Sequence, residues 1–148
     1  MKLSTKALYG ARAMLDLALN YGNRLILLKD IAKRQGISER YLEHIMVLFV
    51  SGGLVQSMRG KQGGFALARP PKEIHLSQVI EVVEGSFAPV RCVDNPKWCR
   101  RSTVCVTREI WGKLKETMLT MLNSITLEDM VKMHKKKIMR EEGQIYYI

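Results

Sequence analysis

The stretch that decides the fold is Leu28–Val50, LKDIAKRQGISERYLEHIMVLFV. Two runs with helical spacing meet at Gly36, and Ser38 stands where the second run needs an N-cap. A tight helix-turn-helix requires a small residue in its first helix, a turn residue tolerant of left-handed dihedrals, and apolar contacts locking both helices. Ala32 is the small residue, Gly36 lies at the turn, and Ile31, Ile37, Leu42 and Ile45 fall on a shared inner face. The segment therefore predicts one helix over 28–35 and another from Ser38 to about Val50. An ordinary helix pair joined by a glycine turn would show the same spacing, so the flanking sequence has to discriminate.

Downstream, Gly52 and Gly53 close the second helix, and Leu54–Arg59 and Phe65–Ala68 read as short strands. Gly60, Lys61, Gln62, Gly63 and Gly64 join them as a hairpin, and Pro70 and Pro71 stop the second strand. A hairpin placed directly after such a helix is a wing, and Arg59 and Lys61 put two cations on a sterically slim loop. Upstream, residues 4–20 carry Ala7, Ala11, Met14, Leu15 and Ala18 as one stripe, with Ser4 as N-cap and Asn20–Asn23, with Gly22, as the stop. The fold class is mainly α with a small β-hairpin wing: a winged helix-turn-helix domain followed by a long helix.

The charge follows the same division. Of the net +10, residues 1–72 supply +8, from 12 Lys and Arg against 4 Asp and Glu. A concentrated positive field gains affinity for polyanions by counterion release, which makes double-stranded DNA the expected partner. The helix after Gly36 would enter the major groove and present Ser38, Glu39, Arg40, Tyr41, Glu43 and His44. Arg40 suits a phosphate or a guanine, and His44 is either a phosphate contact or a plain surface residue. Glu43 repels phosphate, so in the groove it would accept from cytosine N4 or penalise wrong sequences. Arg59 and Lys61 would reach an adjoining minor groove.

The second half reads differently. Ser77–Glu84 predicts a short helix capped by Ser77 and ended by Gly85, and from Ser86 to Ser102 periodicity vanishes into a loop. A long helix follows from about Thr103 to Ser124, with Ile110, Trp111, Leu114, Met118, Met121, Leu122 and Ile125 as a stripe that needs a partner. Thr126 and Asp129 form a capping-box-like start for a last short helix, and the tail KMHKKKIMREEGQIYYI is charged and weakly patterned. The expected organisation is a DNA-binding domain over 1–85, a cysteine-bearing loop over 86–105, dimerisation and terminal helices over 103–133, and a partly disordered tail over 134–148. No stretch is long and apolar enough for a membrane span, and the N-terminus is too interrupted by charge for a signal peptide, so the expected location is cytoplasmic.

Cys92, Cys99 and Cys105 are the three cysteines of the chain. Their spacing matches neither the paired cysteines of common zinc sites nor the tight runs of bacterial ferredoxins. Three thiolates on a loop, the last at the start of a helix whose dipole favours anions, could hold a soft metal centre, or they could be unrelated thiols. Arg91, Lys97, Arg100, Arg101 and Arg108 would favour thiolates there, or serve simply as a solvated basic surface.

Nearly the whole chain resembles the iron-sulfur cluster regulators typified by IscR, a winged-helix family that also includes NsrR and CymR. The resemblance runs through MKLSTKALYGARAMLDLA, ISERYLEHI, LVQSMRGKQGGFALAR, VVEG, the three cysteines and REIWGKLKETMLTMLNSITLEDMV. It implies a homodimer built on the long helix and a palindromic operator. It further implies an iron-sulfur cluster on Cys92, Cys99 and Cys105, 2Fe-2S or alternatively 4Fe-4S, that alters DNA choice. It implies a repressor or dual regulator of cluster-biogenesis or related stress genes that senses the output of the assembly machinery, with Glu43 helping the loaded and cluster-free forms to prefer different sites. One departure stands out: Arg108 occupies the position of the family's histidine ligand. Leu8 occupies the position where NsrR-like members recruit an acidic residue from the partner's N-terminus. The fourth ligand is left open among Asp94, Glu84, Thr107, Glu109 and an exogenous group, with His44, His75 and His134 remote from the cysteines in sequence.

Two other regulators fit the same sequence: a cluster-free winged-helix repressor controlled by a protein partner or metabolite, and a nitric-oxide or redox sensor. An electron carrier would leave Gly36, the wing and the basic half unexplained. Enzymatic catalysis finds no Ser/His/Asp or Cys/His constellation and no phosphate-cradling glycine loop.

Overall fold

The computed structural model describes residues 2–22 and 25–145. Asn23, assigned above to the first turn, and residues 146–148 of the tail lie outside the described residues. Helix α1 (Thr5–Leu19) starts where the Ser4 hydroxyl accepts from the Ala7 N–H at 3.1 Å. Glu84, from the end of α4 (Leu76–Glu84), accepts in turn from the Ser4 amide at 2.7 Å and from the Ser4 hydroxyl. The apolar side of α1 buries Ala7, Ala13, Met14, Leu17 and Ala18. Helices α2 (Leu28–Gln35) and α3 (Glu39–Ser51) pack there through Ile31, Ala32, Leu42, Ile45, Met46 and Phe49. All six are at most 3% exposed, which is the contact face expected of a helix-turn-helix.

Gly36 ends α2 at φ 63°, the left-handed conformation that a Cβ disfavours by roughly 1 kcal/mol. The chain then re-enters helix at Ser38, whose Oγ accepts from the Tyr41 N–H at 3.2 Å. Strands β1 (Val55–Met58) and β2 (Gly64–Leu67) pair antiparallel with Val55 opposite Leu67 and Met58 opposite Gly64. The outer edge of β2 is taken by Ile26, which exchanges two 2.8 Å backbone hydrogen bonds with Phe65. A Cβ on Gly64 would sit 2.6 Å from the Ile26 carbonyl oxygen, so glycine lets that third segment close on the wing.

Four sequence expectations are corrected. Helix α4 is capped at His75, two residues before Ser77, because Leu76 donates to the Ile125 carbonyl at 2.8 Å and Leu127 to the Ile74 carbonyl at 2.9 Å. Those bridges fix the backbone ahead of the helix, and buried Ser77 donates instead to Asn123 Oδ1 at 3.0 Å. The loop after Gly85 contains a helical turn, α5 (Arg91–Asp94), and a 3-10 turn over Pro96–Trp98, both too short to print a hydrophobic period. Asn95 and Pro96 start the second, the Asn95 side chain accepting from the Lys97 N–H. Helix α6 (Val106–Asn123) begins three residues after Thr103, with Cys105 as its N-cap.

The last correction is the C-terminus. Helix α7 (Leu127–Ile145) runs unbroken through most of what reads as a charged tail. Thr126 and Asp129 close its capping box by 2.9 and 3.1 Å hydrogen bonds, and the residues after it are good helix formers with no Pro. Leu127 is fully buried in the main core, with Met130 and Val131 packed against it, so the start of α7 belongs to the body, against α1 and the 3-10 turn Pro71–Glu73 that follows β2. Helix α6, by contrast, has no buried residue along its 18 positions.

Candidate nucleic-acid interface and thiol segment

Helix α3 divides cleanly. Leu42, Ile45, Met46 and Phe49 are sealed inside, while Arg40, Glu43, His44 and Val47 form an exposed line at three- and four-residue spacing. Ser38 is exposed at the helix start. Val47, 58% exposed, is a residue that the sequence reading missed; its place on the line suits it to a thymine methyl. Among the described residues, Arg40, Glu43, Arg59 and Lys61 enter no ion pair, which leaves their charges available to a partner. Arg59 and Lys61 are both exposed on the turn that links β1 to β2, closed by a 3.0 Å hydrogen bond from Gly63 to Gly60.

Tyr41 differs from the others because its ring is half-buried, edge-on to Tyr9 of α1 with centroids 5.7 Å apart. The Arg12 guanidinium lies 5.6 Å over Tyr9 and donates from Nε to Gln35 Oε1 at 3.2 Å, with a second bond to the Gln35 carbonyl. Gln35 also donates to Asp16 Oδ2 at 3.0 Å. Asp16 is 2% exposed and accepts two further bonds from Arg34, at 3.0 and 2.7 Å. The hydrogen bond to Asp16 holds the Arg34 guanidinium protonated more firmly than usual. This polar chain ties the end of α2 to α1 beside the recognition helix. A lone Asp within the apolar run Met14–Ala18 was the available sequence signal for it.

In the thiol segment, Cys92 lies in α5, Cys99 follows the 3-10 turn, and Cys105 caps α6; all three are half-buried free thiols. The Cys105 thiol is held below its usual pKa. The Thr107 hydroxyl, donating at 3.2 Å, is the main cause, aided by the Arg108 and Thr107 N–H groups and by nearby Arg101, against the opposing effect of burial. Arg108 donates from Nε to the Cys92 carbonyl at 2.8 Å, which fastens α6 to α5. Arg91 stacks 4.6 Å over the Trp98 ring.

Among the described residues no three His, Cys, Asp or Glu side chains converge as a metal site would require. The donor set fits soft iron in chemistry, with three thiols of which one is stabilised as thiolate, but it is not drawn together in this conformation. The proposed fourth ligands are mostly engaged elsewhere. Asp94 accepts from Lys115 at 2.6 Å and from Ser86, which together hold its carboxyl below the usual range, and Glu84 accepts from Ser4. His75 donates from Nδ1 to the Asn123 carbonyl at 2.7 Å, His44 stands on α3 and His134 on α7. Among the described residues, Thr107 is the candidate that hydrogen-bonds a cysteine, Cys105, at 3.2 Å.

Residues 3–133 match the profile of the Rrf2 family, described as iron-dependent transcriptional regulator. Protein rrf2 of Nitratidesulfovibrio vulgaris is 39% identical over 132 residues, covering 89% of this chain and 88% of that protein. The transcriptional regulator IscR of Xenorhabdus nematophila is also 39% identical over 132 residues, covering 89% and 80%. Among solved structures, T. potens IscR superposes with a TM-score of 0.75 at 41% identity over 93% of this chain and 90% of that one. CymR, the global cysteine regulator of B. subtilis, gives 0.73 at 34% identity over 89% and 97%.

Proposed function

This chain belongs to the Rrf2 family of transcriptional regulators, and from that premise we propose that it is a homodimeric, cluster-sensing repressor acting in the cytoplasm. The observation that carries the DNA-binding assignment is the exposed line Ser38, Arg40, Glu43 and His44 and the Arg59 and Lys61 wing, none of them in an ion pair among the described residues. In this reading residues 1–85 form the DNA-binding unit, Arg40 and His44 hold the backbone or a guanine, and Glu43 selects a cytosine edge. Tyr41 adds a ring braced by Tyr9. The wing cations enter the flanking minor groove.

Dimerisation is assigned to α6 within residues 103–133. Ile110, Trp111 and Met121 are 51%, 38% and 57% exposed on a helix with no buried residue, an apolar stripe that a second copy would cover. A two-fold dimer sets its recognition helices about 34 Å apart, or a multiple of that, on a palindromic operator.

Cys92, Cys99 and Cys105 of the 86–105 loop would hold an iron-sulfur cluster received from the assembly machinery. The cysteines would hold such a cluster by thiolate-to-iron bonds, which require deprotonated thiols, so binding would couple loop closure to thiol deprotonation. The protein's own residues link that loop to the DNA-binding unit. Asp94 accepts from Ser86, and Glu84 caps α1 through Ser4, so a shift in the loop is carried to the helix that braces α2 and α3. Cluster-biogenesis genes are the proposed targets, since their product is what the cysteines would sense.

A second reading, a cluster-free repressor answering to a protein or metabolite, is favoured by one observation: Arg108 fills the histidine position and is fastened to the Cys92 carbonyl. Site selection with anaerobically reconstituted and cluster-free protein separates the two. Different selected operators, lost in a Cys92→Ala, Cys99→Ala, Cys105→Ala variant, support the sensor. Identical operators in all three preparations support the second reading, and no selected sequence refutes both.

A further inference from the structure

Residues 132–140 of α7 carry Lys132, Lys135, Lys136, Lys137 and Arg140 and no acid. Five of the 12 Lys and Arg in residues 73–148 thus fall within nine positions, while all 10 acids of that half lie elsewhere. The concentration is also directional. At about 100° per residue, Lys132, Lys135, Lys136 and Arg140 share one side of the helix, opposite Leu127, Val131, His134 and Ile138. The latter set faces the body at its start, with Leu127 fully buried and Val131 and His134 half-buried, whereas all five cations are exposed.

Lys132 lies 3.6 Å from Glu128; among the described residues, Lys135, Lys136, Lys137 and Arg140 enter no ion pair. The helix is continuous through this stretch, so the charges sit on a rigid rod of about 12 Å, a length over which a duplex presents about seven phosphates. The family profile ends at residue 133, which places most of this face beyond the shared regulator module. Nothing in the DNA-reading surface of α3 and the wing uses it.

We propose that the basic face of α7 is a second, sequence-neutral contact to the DNA backbone, flanking the operator that α3 and the wing read. This rests on the DNA-binding reading above. Phosphate fits the face because cations without hydrogen-bonding partners of fixed geometry recognise charge density and not base edges. The helix adds affinity and length of footprint to every sequence alike, and it leaves base preference to α3.

The test measures binding between about 50 and 200 mM salt to two duplexes of about 30 base pairs, the selected operator and a mixed sequence. The full chain is compared with K135Q/K136Q/K137Q/R140Q, with the charge-keeping K135R/K136R/K137R, and with K136E/R140E. The Gln variant should weaken binding to both duplexes by the same factor and flatten the slope of log affinity against log salt by about 0.9 per lost phosphate contact. The Arg variant should match the parent, and the Glu variant should fall further. An unchanged slope in the Gln and Glu variants, or a loss confined to the operator, overturns the proposal while leaving the DNA-binding reading standing. A parent protein that binds neither duplex overturns both.

Discussion

The buried Asp16 and its partners set a stability difference that can be worked out in advance. Arg34 gives Asp16 two hydrogen bonds, at 3.0 and 2.7 Å, but the two live in different surroundings: the Arg34 side chain is 46% exposed and the Asp16 side chain only 3%. Removing one partner of a fully buried pair destabilises by about 3–5 kcal/mol, because the survivor is left as an uncompensated buried charge. With Arg34→Met the survivor is the buried carboxylate, left among the described residues with the Gln35 hydrogen bond. Half-exposure of the lost partner means solvent already screened part of the attraction, so a value of about 2 kcal/mol is expected. With Asp16→Asn the survivor is an arginine that turns into water. The new amide keeps one acceptor for it, and Gln35 cannot freely flip to suit the amide because its Oε1 holds Arg12. That substitution should lose about 1 kcal/mol. In thermal unfolding these correspond to about 6 and 3 °C. The double variant should be less destabilised than the sum by about 1 kcal/mol in a double-mutant cycle. Equal losses from the two single variants, or a coupling below about 0.5 kcal/mol, would refute the account of Asp16 as the buried anchor between α1 and α2.

Gly36→Ala introduces no clash, since nothing lies within 4 Å of the added Cβ, so its loss should be the left-handed backbone penalty alone, about 1 kcal/mol by denaturant unfolding. Glu43→Ala should relax selection at one base pair per half-site by about 1–3 kcal/mol while raising non-specific affinity, measured by site selection and competition binding. Thr107→Val removes the main cause of the lowered Cys105 pKa. The midpoint of its alkylation rate against pH should therefore move up, with a slower reaction at neutral pH, read by mass spectrometry against Cys92 and Cys99 in the same molecule; a midpoint that stays put would refute the hydroxyl's role.

What the sequence made legible was local. Gly36 and Ser38 announce the turn and the cap within three residues of one another, and both act through their own backbone neighbours. The inner face of α3 follows from helical period alone, and so does its outer line. The start of α4 was misread because its determinants lie at Ile125 and Leu127, about fifty residues away, and no local rule contains them. Asp16 depends on Arg34 and Gln35 in the same non-local way. The tail was misread for the opposite reason. Its charges resemble those of a solvated segment, yet Leu127, Val131, His134 and Ile138 keep a helical stripe through them, and α7 propagates from a capped, core-anchored first turn at little further cost.

The thiol segment marks a different boundary between pattern and mechanism. Its cysteines are visible in any reading of the chain, but their usefulness depends on what fixes the backbone between them, and that is Arg108. By donating to the Cys92 carbonyl it ties the first cysteine's turn to the first turn of α6, three residues after Cys105. The backbones of two of the three cysteines are therefore tied to the same helix start, and Cys99 sits on the span between them, where the Asn95 and Pro96 turn sets its path. Arg108 thus acts as a clamp on the backbone that carries the proposed ligands. The clamp also binds the segment to α6, the helix with nothing buried along it, so a rearrangement of the thiols would reach the surface proposed for a second copy by way of Arg108, and α4 and α1 by way of the Asp94–Ser86 and Glu84–Ser4 bonds.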